Sequence, residues 1–183
     1  MKYFKKLEEK RIYLSPINSE DAEKYVYWMS DRNITDNLGN TTILTTLEGE
    51  KEYLINAGKN GDVNFAIVKR ENDELIGNCS LMKVDRINRK CTLGIFIGDE
   101  ENRKKGYGTE VLTLLLKYSF DFQNMHSVDL KVFSFNENAI KCYEKVGFKK
   151  CGVRHEAYFL EGIYYDEITM EILESDYRKK FIN

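Results

Sequence analysis

Two runs of residues carry the types and spacing that do chemistry. The first, Arg103-Lys104-Lys105-Gly106-Tyr107-Gly108-Thr109, follows an apolar strand-like run and opens a long amphipathic segment. Glycines in a turn that feeds a helix let an anion come close to the backbone, and the first helical turn offers unpaired N–H groups and about half a positive charge. That is the chemistry of a pyrophosphate cradle, to which Lys104 and Lys105 add cationic side chains. The spacing departs from G-x-x-x-x-G-K-[ST], which would also place a lysine and a hydroxyl for magnesium and nucleotide hydrolysis, so a kinase-type phosphate loop is excluded. Alone, the run equally fits a glycine-containing helix start with solvated basic residues.

The second run is Asn136-Glu137-Asn138-Ala139-Ile140-Lys141-Cys142-Tyr143-Glu144-Lys145-Val146-Gly147-Phe148. Asn136 suits an N-cap, and Tyr143 lies seven residues on, two turns along roughly the same face. Gly147 supplies a left-handed stop before a new strand begins at Phe148. By itself this is a capped helix with a packed tyrosine. Its place one strand after the glycine turn makes the pair specific.

The elements that must position these runs follow from periodicity. Arg11 to Ile17 alternates as a strand, and Asn18 or Ser19 caps a helix through Trp28. Asn33 to Thr46 reads as a loop over a binding site, and Leu47 to Ala57 as a helix ending at Gly58. Phe65–Lys69, Leu75–Val84 and Cys91–Ile97 form an antiparallel meander, with turns at Glu71-Asn72-Asp73 and near Arg86 to Arg89. A helix runs from about Gly106 to Phe122, with Leu112, Leu115, Leu116 and Phe122 at helical spacing. Val128 to Phe133 is a strand, Asn136 to Val146 a helix, and Ala157–Phe159 and Ile168–Ile172 are strands around a turn at Glu161-Gly162. The expected fold is α+β, a mixed, mostly antiparallel sheet flanked by helices, with residues 1–183 as one domain.

Composition narrows the function. Hydrophobic residues make up 42% and charged residues 32%, which argues for a packed core rather than disorder. A net charge of −2 with mixed signs provides no positive field for a nucleic-acid backbone, so no nucleic-acid partner is expected. The lysine-rich start has no apolar run behind it, so the expectation is a cytoplasmic chain with no secretory signal and no membrane partner. Cys79, Cys91, Cys142 and Cys151 lack C-x-x-C pairing and read as reduced, buried thiols; with His126 and His155 the only histidines, no metal site is expected.

Together the strand, the R-x-x-G-x-G turn and its helix, the next strand and the N-x-N-A-x-x-x-Y-x-K-x-G-F run resemble the GNAT superfamily of N-acetyltransferases, most sharply over Asp99 to Lys149. The tail from Arg154-His155-Glu156 through Glu161-Gly162-Ile163-Tyr164-Tyr165-Asp166 to Met170 resembles the branch containing ribosomal-protein N-terminal acetyltransferases and bacterial spermidine acetyltransferases. The resemblance implies acetyl-CoA as cosubstrate, with its pyrophosphate on the turn from Arg103, Lys104 and Lys105 through Gly106, Tyr107, Gly108 and Thr109. It implies backbone contacts from Phe96 and Ile97 to the pantetheine arm, a further contact from Asn136, and Tyr143 as general acid for the departing thiolate. It leaves the oligomeric state open, a homodimer being one option.

One position departs from the pattern. Many relatives carry a glutamate in the meander strand to drain the amine proton, where this chain has Thr92, so the base stays unassigned among Glu156, Asp166 and water. A lysine-like amine with pKa near 10.4 is neutral in only about one molecule per thousand at pH 7, an α-amine near 7.7–8.0 in roughly one of ten. The expected acceptor is therefore a protein or peptide N-terminal α-amine. The alternative is spermidine or another small amine, for which Glu48, Glu50 and Glu52 could supply carboxylates, although a solvated helix face explains those residues more simply. A non-catalytic CoA-binding regulatory module is the alternative of another class.

Overall fold

The computed structural model describes residues 2–59 and 61–182. Its centre is an eight-stranded sheet in the order β1-β2-β3-β4-β5-β6-β8-β7. The strands are β1 (Leu7–Glu8), β2 (Ile12–Pro16), β3 (Val63–Lys69), β4 (Leu75–Asp85), β5 (Lys90–Ile97), β6 (Ser127–Phe133), β7 (Lys149–Leu160) and β8 (Ile163–Leu173). Neighbours are antiparallel except β5 and β6, which are parallel. The helices are α1 (Ala22–Met29), α2 (Arg32–Leu38), α3 (Leu47–Asn56), α4 (Tyr107–Lys117), α5 (Glu137–Val146) and α6 (Glu174–Phe181). No helix among the described residues is long and apolar enough to cross a membrane.

Strand alternation divides the interior between two faces. Ile12 and Leu14 of β2, Ile67 of β3, and Cys91 and Leu93 of β5 join α4 and α5 in one core, where Leu112, Leu115, Leu116, Ile140 and Val146 cover them. The residues between them, Tyr13, Ala66 and Val68, pack with Tyr25, Trp28 and Leu54 under α1 and α3, and Phe96 packs against that second core. The sheet is thus a wall between two compartments.

Several elements differ from expectation. Residues 33–46 are not all loop. Asp31 accepts the Asn33 N–H at 2.9 Å, α2 follows, and Gly39 closes it at φ 73°. The helix is short and made of weak helix formers, but its cap, its glycine stop and buried Ile34 hold it. The long helix changes pitch after Lys117 into a π turn over Tyr118–Phe122. That extra residue per turn rotates the face, so Phe120 is buried and Phe122 is exposed. The last two strands are much longer than their apolar stretches, because β7 is an exposed edge strand with no core-facing alternation to mark it. Cys151, on that strand, is exposed rather than buried, while Cys79 and Cys91 are buried.

Candidate active site

The sheet opens between β5 and β6. Lys90, Cys91 and Thr92 of β5 pair with Ser127, Val128 and Asp129 of β6, and the ladder stops there although β5 runs to Ile97 and β6 to Phe133. The far edges stay paired, β5 with β4 as far as Ile97 and β6 with β8 as far as Phe133. Aromatic anchors hold the strands apart. Phe96 packs edge-on against Trp28 and Tyr25, at 5.6 and 6.3 Å between ring centroids, while Phe133 stacks on Tyr158 at 4.1 Å. The resulting wedge leaves the inner edge of Leu93–Ile97 without a strand partner, the kind of edge an extended amide-bearing chain can join.

Glycine fixes the chain just beyond β5, at the open end of the wedge. Gly98 lies flat on Trp28, so that an added Cβ would sit 2.0 Å from the indole ring. Trp28 cannot retreat, because it is fully buried and its Nε1–H donates to Asp99 at 3.0 Å. Gly98→Ala is therefore expected to destabilise the fold by about 1–3 kcal/mol, the cost of overpacking. The measurement is urea denaturation; an unchanged midpoint would mean that the indole is free to move.

After β5 the chain turns into α4 through residues 103–109. Lys104 has φ 58° and Gly106 φ 87°. The Arg103 N–H donates to Glu100 at 2.9 Å, and the next backbone N–H with an acceptor is that of Glu110, at 3.3 Å from the Gly106 carbonyl. Every amide from Lys104 to Thr109 is therefore without an acceptor among the described residues. Left-handed residues followed by a helix N-terminus concentrate such amides into a concave anion site. Arg103 does not add its charge to this concavity. Its guanidinium turns back to the carbonyls of Ile97, at 3.2 Å, and Gly98, with Asp31 at 3.7 Å, clamping the chain between strand and turn. Lys104 and Lys105 are exposed.

Arg11, which the sequence did not single out, braces the turn from outside. It donates to the Lys105 carbonyl at 3.0 Å, pairs with Glu110 at 2.6 Å and lies over the Tyr107 ring at 4.6 Å. Nothing in the sequence links positions 94 residues apart; only the fold does so.

Helix α5 packs on α4 where Cys142 meets Thr109, 3.5 Å from its Oγ1, and the place a Gly108 Cβ would occupy, 3.7 Å away. Asn136 caps it, its side-chain oxygen accepting the Ala139 N–H at 3.2 Å. The Tyr143 ring belongs to the α4–α5 core and meets Phe148 edge-on at 6.0 Å. The side-chain oxygens fully enclosed without a partner belong to Asp21 and Asn102. The Tyr143 hydroxyl, which has no hydrogen-bond partner among the described residues, is therefore not sealed off. Burial, with a smaller effect from neighbouring Cys142, pushes this phenol well above its ordinary value, so it holds its proton at neutral pH.

The candidates for a base are dispersed. Thr92 occupies the last paired position of β5, opposite Asp129. Asp166 lies on the β7–β8 hairpin, where the Glu156 N–H at 2.9 Å and His155 Nδ1 at 3.0 Å hold its carboxyl below the usual carboxylate range. That hairpin is tied across the wedge to the α2 region by Arg32–Glu161 at 2.8 Å and Thr41–Tyr158 at 2.8 Å. The carboxylates of Glu74, Asp99 and Glu101 lie within 4.8 Å of one another, but Lys69 engages Glu74 and Lys24 engages Asp99.

The site thus joins a strand wedge, a turn of unpartnered amides at a helix start, and a protonated phenol on the adjoining helix. The model of the acetyltransferase (GNAT) domain matches residues 11–149, and the chain belongs to that family of N-acetyltransferases. The chain is 32% identical over 130 residues to a spermidine N(1)-acetyltransferase of Vibrio cholerae, covering 71% of this chain and 74% of that one. It is 27% identical to the uncharacterized N-acetyltransferase p20 of Bacillus licheniformis, over 93% of this chain and 97% of the other. The crystal structure of spermidine N-acetyltransferase from Vibrio cholerae in complex with CoA and spermine superposes with a TM-score of 0.82 at 27% identity, covering 91% of this chain and 97% of that one.

Proposed function

We propose that residues 1–183 form one acetyltransferase domain that moves the acetyl group of acetyl-CoA to a primary amine of a polyamine. The observation that carries the donor half is the run of unpartnered amides from Lys104 to Thr109 beside the open edge of β5. The amides and the two exposed lysines hold the pyrophosphate, and the Leu93–Ile97 edge takes the amide-bearing arm, as the wedge geometry supports. Phe96 contributes backbone there while its ring anchors the strand. The Ile97 carbonyl is already taken by Arg103. Asn136, its oxygen committed to the helix cap, has only its NH₂ group to offer.

In the transfer, a neutral amine attacks the thioester carbonyl, the C–S bond breaks, and Tyr143 gives its proton to the departing sulfur. The amine arrives as an ammonium and gives one proton to solvent before it attacks; after attack its nitrogen gives up a second, which makes good the Tyr143 phenol. The phenol's raised affinity for its proton would oppose donation to a thiolate in water. A thiolate formed in the same low-dielectric site is raised by the same desolvation, which keeps the two groups matched.

For the acceptor, the similarity to enzymes named for spermidine weighs toward a polyamine, where the sequence alone favoured a peptide α-amine. Equimolar spermidine and an unblocked peptide offered with acetyl-CoA, followed by mass spectrometry, should show acetylspermidine as the main product. Acetylation of the peptide alone would return the assignment to an α-amine.

A further inference from the structure

Glu50 is out of place for a solvated helix face. It lies on α3 between exposed or half-exposed neighbours, yet it is only 8% exposed, whereas Glu48 and Glu52 face solvent. It accepts no hydrogen bond and forms no ion pair with any described residue. Asp21, the other buried acid, takes the Tyr3 hydroxyl at 2.9 Å and Lys2 at 2.5 Å. An ionised carboxylate covered by protein without a cation or donor is costly, and a fold selected only for stability would not keep one. Nor is the carboxylate sealed, because its oxygens are not among the fully enclosed ones. It looks out through an opening.

Glu50 packs on the α1–α3 face, and its charge is felt by two phenols, Tyr25 on α1 and Tyr53 on its own helix. Tyr25 leads to the wedge, since its hydroxyl accepts from the Asn78 side chain at 3.2 Å and its ring meets Phe96, the register partner of Asn78. Two residues along β4, Ser80 is buried with a hydroxyl that has no partner among the described residues. The titratable groups that share a phenol with Glu50 are Cys79 and Asp21 at Tyr25, Asp21 being held by Lys2 and Tyr3, and Asp62 at Tyr53. None of them is a cation. Tyr143 stands on the opposite face, in the α4–α5 core, and the sheet between the two faces is unpaired where β5 and β6 part.

We propose that Glu50 is the specificity-determining residue of the acceptor site, binding one protonated nitrogen of a polyamine on the α1–α3 face while another nitrogen of the same molecule reaches the thioester through the wedge. The inference rests on the polyamine assignment made above. It also accounts for Thr92: with the meander strand lacking a carboxylate, α3 supplies one from the other side of the pocket. Burial raises the Glu50 carboxyl above its usual range, as expected of a carboxylate waiting for a cation that arrives with the substrate.

Glu50→Gln keeps the shape and removes the charge. With spermidine, KM should rise at least tenfold, while kcat at saturation and KM for acetyl-CoA stay within about twofold; Glu50→Asp should recover part of the loss. With butylamine, which has no second cation, wild type and variant should behave alike. Wild-type kcat/KM for spermidine should fall as pH drops through the raised Glu50 pKa. Stability runs the other way: the raised pKa favours the folded protein at low pH, and that contribution is lost as pH rises, so Glu50→Gln should melt no lower than wild type at pH 7. Calorimetry of spermidine with the CoA-loaded protein separates this inference from the transfer reaction. Loss of binding in Glu50→Gln supports the anchor even in a protein that turns nothing over. Equal affinity in both proteins, no spermidine binding to wild type, or equal KM losses for spermidine and butylamine would each overturn it.

Discussion

Tyr143→Phe should leave the fold and acetyl-CoA binding nearly intact and lower kcat by about 10²- to 10⁴-fold, the usual worth of a positioned general acid. The ring carries the packing: it is buried in the α4–α5 core and set edge-on to Phe148. The hydroxyl carries no structural bond, having no partner among the described residues, so its removal leaves nothing buried and unsatisfied. A change confined to kcat is thus the signature of a proton given in the transition state. Because burial holds the phenol above its ordinary pKa near 10, wild-type kcat should show no loss from Tyr143 ionisation through pH 9. Single-turnover rates at saturating acetyl-CoA and amine are the measurement. A variant with the wild-type chemical rate would mean that the thiolate leaves without help from this side chain.

What the sequence made legible is what local chemistry decides. Gly106 and Gly147 sit at φ 87° and 110°, at the helix start and helix stop where their neighbours placed them, and Asn136 caps α5. The meander was readable because each of its strands alternates between two covered faces. The unreadable features depend on long-range partners. Arg11 braces a turn 94 residues away, and Arg103, read as part of an anion site, spends its guanidinium on strand-end carbonyls. Glu50 looked like one acid in an exposed run, because periodicity in E-G-E-K-E cannot show that α1 and the turn before it will cover the middle one. The wedge has no sequence signal at all. It comes from aromatic contacts that pull β5 toward Trp28 and β6 toward Tyr158, and each ring alone reads as ordinary core.

The geometry of the turn also decides which glycine the donor site depends on. An added Cβ at Gly108 would point at Cys142, at an ordinary contact distance of 3.7 Å, away from the exposed amides. Gly108→Ala should therefore fold and bind CoA within a few-fold of wild type. Gly106 differs, because its φ of 87° is strained for any side chain and its Cβ would meet the Arg11 guanidinium at 3.2 Å. Gly106→Val would have to swing the backbone out of the left-handed region and push Arg11 off the Lys105 carbonyl, turning the amides on either side away from their common focus. Strain of this kind costs about 1–3 kcal/mol, roughly 5- to 150-fold in affinity, and the expected result is a CoA Kd raised within that range. Turnover at saturating acetyl-CoA should change far less, since the turn grips the donor remote from the thioester. Affinity should also weaken with added salt in wild type, through Lys104 and Lys105. Calorimetry on the folded variants gives the answer: equal CoA affinity in Gly106→Val and wild type would move the pyrophosphate site off this turn.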